Sequence, residues 1–523
     1  MAKLLNPSST GSHELPSTLV KRLSGTLAGG GPTVTTHRPV DGAPIATMRT
    51  ATSEDVASAF ARARVAQLAW AETPVKERAK PFVRYHDLII NNSQLIDLIQ
   101  VENGKSRNGA FEETLDIAGL SLYYARNAEK FLKSRRRKGA IPVATKAFEH
   151  RQAKGVVAII APWNYPLSLS VCDAIPALLA GNAIVVKADT QTALTAAYAR
   201  ELLIEAGVPA DLFELLIGEP EEIGDALLDH AQHVTFTGST AAGRRIGEAA
   251  ARRLIGCTLE LGGKNPMLVL DDADLDKTAR GAMRACFSTT GQLCLSVERI
   301  YVDEKVYDEF VPMLAAHTKK LRLGSGPGHD YDIGTMSLQR QFDTVVRHVE
   351  DARSKGAQVL AGGKARPDLG PHFYEPTVLT GVTPDMELFR NETFGPVVAI
   401  YPVASDDEAV RLANATEYGL NASIWTRDTA RGHRLGQRIQ AGTVNINEGV
   451  GSAYASNDAP MGGMKASGQG RRHGEHGLLE YTELQTVASQ HVIGFDPMPG
   501  VSTKQNARLL TGMLKAMKAL RIK

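Results

Sequence analysis

The amino-acid sequence predicts an α/β protein made of two parallel-sheet domains and a protruding β-arm. Three observations carry this. Between residues 155 and 261, short continuous apolar runs alternate with segments of helical periodicity, the pattern of a parallel sheet covered by helices on both faces. A second alternating series begins at Met267 and reaches Ile446. Two strand-like segments, residues 144–153 and 480–492, lie outside both series and are placed to pair with each other.

The chain has 523 residues, enough for two or three domains and a large buried core. Its 43% hydrophobic and 22% charged residues are ordinary for a globular protein, and a net charge of +2 gives no basis for nucleic-acid binding through bulk charge. The four cysteines include no CxxC pair. That usage suits a reducing compartment, with cytoplasm the expected location, and argues against a disulfide scaffold or a structural zinc site. No apolar stretch reaches the roughly 18 residues of a membrane span.

Residues 1–35 are rich in Ser, Thr, Gly and Pro and read as a flexible segment. Ser53, followed by an acidic first turn, opens a helix that runs to residue 71. Helical patterns follow at 75–91, 93–102 and 111–131, and the run Arg135, Arg136, Arg137 and Lys138 reads as a solvated cluster between elements. Strands are expected at 155–160, 183–187, 212–217, 234–237 and 258–261, with helices at 167–180, 192–206, 221–230 and 241–254 between them. A strand at 267–270 and a helix at 275–288 lead to Cys294; further strands are expected at 298–302, 397–403, 422–425 and 443–446. Residues 36–134 and 154–262 then form a Rossmann-type cofactor domain, residues 263–478 a catalytic domain, and residues 135–153 and 479–495 an oligomerisation arm. The tail, 496–523, is basic: from Lys504 onward it has six basic and no acidic residues, with Leu509, Leu510, Met513, Leu514, Met517 and Leu520 at helical spacing. Such a helix docks its apolar stripe on protein or lies weakly on an anionic membrane surface.

Ligands of parallel sheets gather at the carboxyl ends of the strands. Trp163 and Asn164 follow the first strand, Lys187 ends the second, Gly218 the third, Gly238 and Ser239 the fourth, and Glu260 the fifth. Residues 218–224 are not a GxGxxG loop, because Pro220 takes the middle position, so phosphate binding falls to the helix start at Gly238 and Ser239. Cys294 lies in the polar connection TTGQLCLS. Its thiol would be only a few per cent ionised at neutral pH but strongly nucleophilic. Cys172, Cys257 and Cys286 read as packing residues.

The stretches PWNYP (162–166), FTGST (236–240), ELGGKNP (260–266), GQLC (291–294), NETFGP (391–396) and PMGGMKASGQGR (460–471) occur in this order. Together they resemble the aldehyde dehydrogenase superfamily from about residue 40 to about residue 490. Within it, SVERIYV and RRHGEHGLLEYTE are most similar to bacterial succinate-semialdehyde dehydrogenases of the second type. The resemblance implies that Cys294 attacks an aldehyde and that Asn164 and the Cys294 N–H hold the oxyanion. It further implies that Glu260 activates water to release a free acid. It assigns Trp163, Lys187, Gly218, Gly238, Ser239, Glu392 and Phe394 to a nicotinamide cofactor, and it implies a homodimer or homotetramer. At Thr190 the family pattern KPxE reads KADT. A small hydroxyl residue in place of the carboxylate leaves room for a 2′-phosphate, so NADP is expected, with NAD as the alternative.

The two arginines that grip the distal carboxylate in well-characterised relatives correspond by spacing to Cys172 and Ser288. Arg284 or the loop 448–458 could replace them, and an apolar or aromatic aldehyde is the alternative substrate. A thioesterase or acyl transferase using Cys294 and Glu260, or a binding protein on the same fold, are the readings from other classes.

Overall fold

A computed structural model of the chain describes residues 14–27, 29–90, 92–140, 145–491 and 496–522. The first sheet has the strand order Gly468–Gln469, Gly256–Glu260, His233–Thr237, Val156–Ile160, Ala183–Lys187 and Phe213–Leu216. All its pairings are parallel except that of the short Gly468–Gln469 edge strand, which runs antiparallel to Gly256–Glu260. The chain winds outward from Val156–Ile160 on one side, then crosses back to His233–Thr237 on the other. The crevice at the carboxyl ends of these two strands is a topological switch point, where such sheets bind ligands. Val156, Val157, Ala158, Ile184, Val185 and Val186 are buried on both faces, as the unbroken apolar runs require.

The second sheet has seven strands, in the order Gln358–Ala361, Thr377–Thr380, Val397–Val403, Val297–Asp303, Asn265–Val269, Asn421–Trp425 and Thr443–Ile446. Only the Gln358–Ala361 edge pairs antiparallel. The two sheets are joined directly by the turn from Glu260 to Asn265, which puts the crevice of the first beside the Cys294 connection of the second.

Three departures from the sequence reading have clear physical causes. Residues 14–27 are ordered rather than loose: Ser17–Ser24 is a helix, and Leu19, Leu23 and Leu27, spaced four apart, are buried in the main core. Residues 1–13 of that expected flexible segment lie outside the described residues. The helix expected at 167–180 is two helices, Pro166–Val171 and Ala174–Leu179. Pro176 lacks the N–H that would bond Cys172 and its ring crowds that carbonyl, so the helix breaks there and Asp173 falls in the break. The basic run is a short strand, Arg135–Arg137, at the edge of a three-stranded sheet with Thr145–Ala153 and Thr482–Gln490. Its Arg137 pairs with Glu149 across the strands at 2.6 Å.

The long pair Thr145–Ala153 and Thr482–Gln490 runs antiparallel from Thr482↔Ala153 to Gln490↔Thr145, and Leu484 and Val487 on its outer strand are exposed. Residues 141–144 and 492–495 of the expected arm are outside the described residues. The tail carries a helix, Thr503–Ala519, opened by a capping box at Ser502 and Gln505, with Met517 buried and Leu509 and Leu514 exposed. Among the described residues no helix is long and apolar enough to cross a membrane.

Candidate active site

Cys294 follows a contorted connection. After the helix Leu275–Phe287, a single turn, Ser288–Gly291, carries φ of 50°, 57° and 69° at Thr289, Thr290 and Gly291. Two threonines in the left-handed region cost about 1–2 kcal/mol each. Packing and hydrogen bonds hold them there: the Tyr165 and Thr289 hydroxyls meet at 3.0 Å, and the Ser337 N–H donates to Gln292 Oε1 at 2.9 Å. A side chain at Gly291 would collide with the Gly395 carbonyl. Asn265 Nδ2 donates to the Cys294 carbonyl at 2.7 Å and to the Ser296 carbonyl at 2.8 Å, fixing the half-buried thiol at the cleft wall.

Asn164 reaches this loop from the first sheet. Its Nδ2 donates to the Gln292 carbonyl at 2.9 Å, which uses one of the two amide hydrogens and leaves the other for a ligand. A buried ion pair, Lys105 with Glu113 at 2.6 Å, supports it from behind. Lys105 Nζ also donates to the Asn164 carbonyl at 2.8 Å, and Glu113 caps the next helix through the Leu167 and Ser168 N–H groups.

Glu260 ends its strand as expected. It is buried, its Oε1 has no hydrogen-bond partner, and burial raises its carboxyl to about 7. The same burial, with the charges of Glu260 and Glu392, pushes the Cys294 thiol up to about 12. Free thiolate is therefore scarce near neutral pH, so the thiol must lose its proton as it reacts. Across the cleft, Glu392 Oε1 accepts from the Gly263 N–H at 2.8 Å, and burial raises its carboxyl to about 8. The Glu298 carboxylate, paired with Lys264, holds the following loop by accepting from the Thr393 and Phe394 N–H groups.

One cleft of about 480 Å³ joins these groups. Cys294, Asn164, Glu260, Trp163, Lys187, Gly238, Ser239, Glu392 and Phe394 all line it, and the Trp163 and Phe394 rings close it edge to face at 5.8 Å. Two predicted residues are not on its wall. Gly218 turns the chain toward Pro220, and Pro220 is the residue that lines the cleft. Thr190 begins a short turn with its hydroxyl buried and unpartnered, and Asp189 stands at the wall in its place. The substitution at Thr190 thus removes one carboxylate from this corner but leaves a neighbouring one. Sequence reasoning also missed Arg340, Gln341 and Thr344, which border the cleft from the helix Gln339–Ser354. Gln341 Nε2 there donates to the Thr393 and Phe394 carbonyls. A run of ordinary helical periodicity carries no signal of that placement.

The donor set fits a dinucleotide. Ser239 caps the helix Thr240–Arg252, and Gly238, Ser239 and Ala242 bring that helix start to the cleft wall, the kind of place where phosphate binds. Lys187 stands on the neighbouring strand end, Glu392 offers acceptors for ribose hydroxyls, and any side chain at Gly262 would strike the Glu392 carboxylate.

Residues 27–487 match the model of the aldehyde dehydrogenase family. The chain belongs to that family. Among curated proteins it is 50% identical over 488 residues to one from Mycolicibacterium smegmatis named "Putative succinate-semialdehyde dehydrogenase, NADP(+)", covering 92% of this chain and 94% of the relative. Among solved structures, an Escherichia coli NADP-dependent enzyme superposes with a TM-score of 0.85 at 33% identity, covering 89% of this chain and 96% of the other. The Staphylococcus aureus betaine aldehyde dehydrogenase in complex with NAD+ superposes with a TM-score of 0.85 at 30% identity, covering 90% and 94%.

In this aldehyde dehydrogenase Cys172 and Ser288 bring no positive charge to the thiol; the cation that acts on it is the buried Arg472. Burial and the adjacent Asp173 hold the Cys172 thiol well above its ordinary range, so it is neutral. Arg284, on the helix before Cys294, has a side chain 57% exposed and pairs with Glu112 at 3.3 Å. Asp116 accepts from Ser168 Oγ at 2.9 Å and from the Tyr454 hydroxyl at 2.6 Å, and Tyr454 packs in the same apolar cluster as Cys294.

Proposed function

We propose that this enzyme oxidises succinate semialdehyde to succinate with NADP, through an acyl group carried on Cys294. The observation that carries the mechanism is the single cleft in which Cys294, Asn164, Glu260 and Glu392 converge from both sheets. The names of relatives half-identical over nearly the whole chain support the substrate and the cofactor.

The Cys294 sulfur forms a bond to the aldehyde carbon as its proton leaves toward Glu260 or water. The free hydrogen of the Asn164 amide and the Cys294 N–H stabilise the resulting alkoxide. Lys187, Ser239 and Glu392 would hold the dinucleotide, which would supply the hydride acceptor. After the aldehyde hydrogen has gone, the acyl group is a thioester on Cys294. Glu260 then takes a proton from water as the water oxygen attacks the thioester carbon, the carbon–sulfur bond breaks, and the thiolate recovers a proton. Trp163 and Phe394 narrow the cleft and limit other water.

An uncharged aldehyde is the second reading. Cys172 and Ser288 bring no charge, and Asp116, bonded to the Tyr454 hydroxyl near the thiol, is an acid that burial raises to about 6. The arm supports a homodimer or homotetramer, since Thr482–Gln490 is an edge strand with Leu484 and Val487 exposed. The deciding assay measures NADPH absorbance with succinate semialdehyde and with neutral aldehydes of equal length. A kcat/KM for succinate semialdehyde at least tenfold above its neutral analogue supports the first reading, and the reverse order supports the second. No reduction of cofactor by any aldehyde, with release of acid from a thioester substrate, would make the enzyme a thioesterase.

A further inference from the structure

A buried ion pair that the mechanism above leaves unused lies beside Glu260. Arg472 and Asp173 are 7% and 2% exposed. The guanidinium donates from Nε to both Asp173 oxygens at 3.1 Å, and from Nη2 to Asp173 Oδ2 at 2.5 Å and to Thr237 Oγ1 at 2.6 Å. The Tyr481 hydroxyl donates to Asp173 Oδ1 at 3.0 Å. An isolated buried pair of this kind adds little to stability against an apolar replacement, so its place in the fold is informative.

That place is set by strand register. Thr237 and Glu260 are partners in the parallel ladder, and register partners about 4.8 Å apart present their side chains on the same face. A guanidinium bonded to Thr237 Oγ1 therefore stands beside the Glu260 side chain. The hairpin that delivers Arg472 also encloses Glu260. Gly468 pairs with Glu260 in the edge strand, and Met461 and Arg472 exchange backbone hydrogen bonds at 2.8 and 2.7 Å. Between them a Cβ on Gly462 would fall 3.1 Å from Glu260 Oε1. Bonds from Arg472 go to Asp173 and Thr237, so its charge acts on Glu260 through space.

We propose that Arg472 and Asp173 are positioning residues for the hydrolytic half-reaction, an opposed pair whose balance sets the potential in which Glu260 accepts its proton from water. This rests on Glu260 being the base proposed above. Burial is what raises the Glu260 carboxyl; Arg472 is the largest charge opposing that rise, Asp173 adds to it, and Arg471 also opposes it. Cys294, Glu392, Lys187, Asp189 and Arg340 are the other titratable groups that line the cleft with it. Arg472 lowers the Glu260 carboxyl against the rise that burial causes, and Asp173 works against Arg472.

The two members of the pair push Glu260 in opposite directions, so their variants should shift its titration with opposite signs. The test acetylates the full-length enzyme at Cys294 with p-nitrophenyl acetate, removes excess reagent, and follows loss of the acetyl group by mass spectrometry across the acid limb. Arg472→Met should move that limb up by about one pH unit, roughly a tenfold slower hydrolysis at a fixed pH on the limb. Asp173→Asn should move it down by a similar amount, and Arg472→Lys should return it close to wild type. Shifts in the same direction, or none in either variant, overturn the proposal. If Arg472→Met fails to fold, Asp173→Asn against wild type decides by the sign of its shift. Glu260→Gln separates the two claims. Hydrolysis undiminished in that variant refutes Glu260 as the base; hydrolysis lost there, with an unmoved limb in the pair variants, refutes only the role of the pair.

Discussion

Replacing Asn164 by alanine isolates the donor that the cleft offers to a developing oxyanion. In the native site the amide is 5% exposed and oriented by its bond to the Gln292 carbonyl, with one hydrogen left over. Losing one preorganised donor of this kind lowers kcat by about 10²–10³, or roughly 3–4 kcal/mol in the barrier. The truncation also strands the Gln292 carbonyl, whose residue is fully buried, and that should lower stability by about 1–3 kcal/mol. Asn164→Asp preserves the shape but turns a carboxylate toward both the Gln292 carbonyl and the new negative charge, so it should be slower than the alanine variant. The assay is single-turnover formation of NADPH with saturating aldehyde, paired with fluorescence titration of NADP. The backbone carbonyl of Asn164, not its side chain, receives Lys105. The cofactor side of the cleft should therefore be preserved, with the dissociation constant changed by less than about threefold, under 0.7 kcal/mol. A single-turnover rate within about tenfold of wild type, or an aspartate variant faster than alanine, would refute the assignment of Asn164 to the oxyanion.

Glu260→Gln tests the ionisation of the base through stability. A carboxyl at about 7 in the folded protein and about 4.3 unfolded binds more protons when folded. Its contribution is fully present below the unfolded value and is lost as pH rises through 7, where the buried charge costs roughly 3 kcal/mol. The glutamine variant should therefore melt higher than wild type at pH 8 and show no such gain at pH 4, and an equal change at both values would count against the raised carboxyl. Thr190→Glu should shift preference toward NAD by placing a second carboxylate beside Asp189, and Asp189→Asn should favour NADP, both read as ratios of kcat/KM. Opposite signs would remove these residues from cofactor choice. Arg284→Ala should leave KM for succinate semialdehyde within about threefold of wild type, under 0.7 kcal/mol, because its side chain is more than half exposed and paired with Glu112; a tenfold rise confined to succinate semialdehyde would place Arg284 on the carboxylate.

Part of the candidate site was legible because local alternation ends a strand there, whereas Cys294 was read from its polar connection and Glu392 from the family resemblance. Lys187, Gly238 and Glu260 could be placed at carboxyl ends without knowing the strand order. Gly218 looked equivalent on the same ground and is not, because the strand it follows lies at the sheet edge, away from the switch point. The ordered N-terminal helix was readable from the four-residue spacing of Leu15, Leu19 and Leu23, a signal masked by the surrounding Ser, Gly and Pro. PMGGMKASGQGR was read only as part of the family pattern, and Arg472, one residue beyond it, bonds Thr237 at the strand end beside Glu260.

By itself, the sequence determined the central strands of the two parallel sheets and the thiol connection, through short-range periodicity and residue types at strand ends; Glu392 and Phe394 were reached only through the family resemblance. Only the tertiary structure decided that Asp189 rather than Thr190 faces the cleft, and that the break at Pro176 turns Asp173 toward Arg472, 299 residues away. A turn presents only one of two adjacent side chains to a cleft, and the choice depends on what packs behind it. Contacts across hundreds of residues depend on strand order and register, which no local pattern encodes.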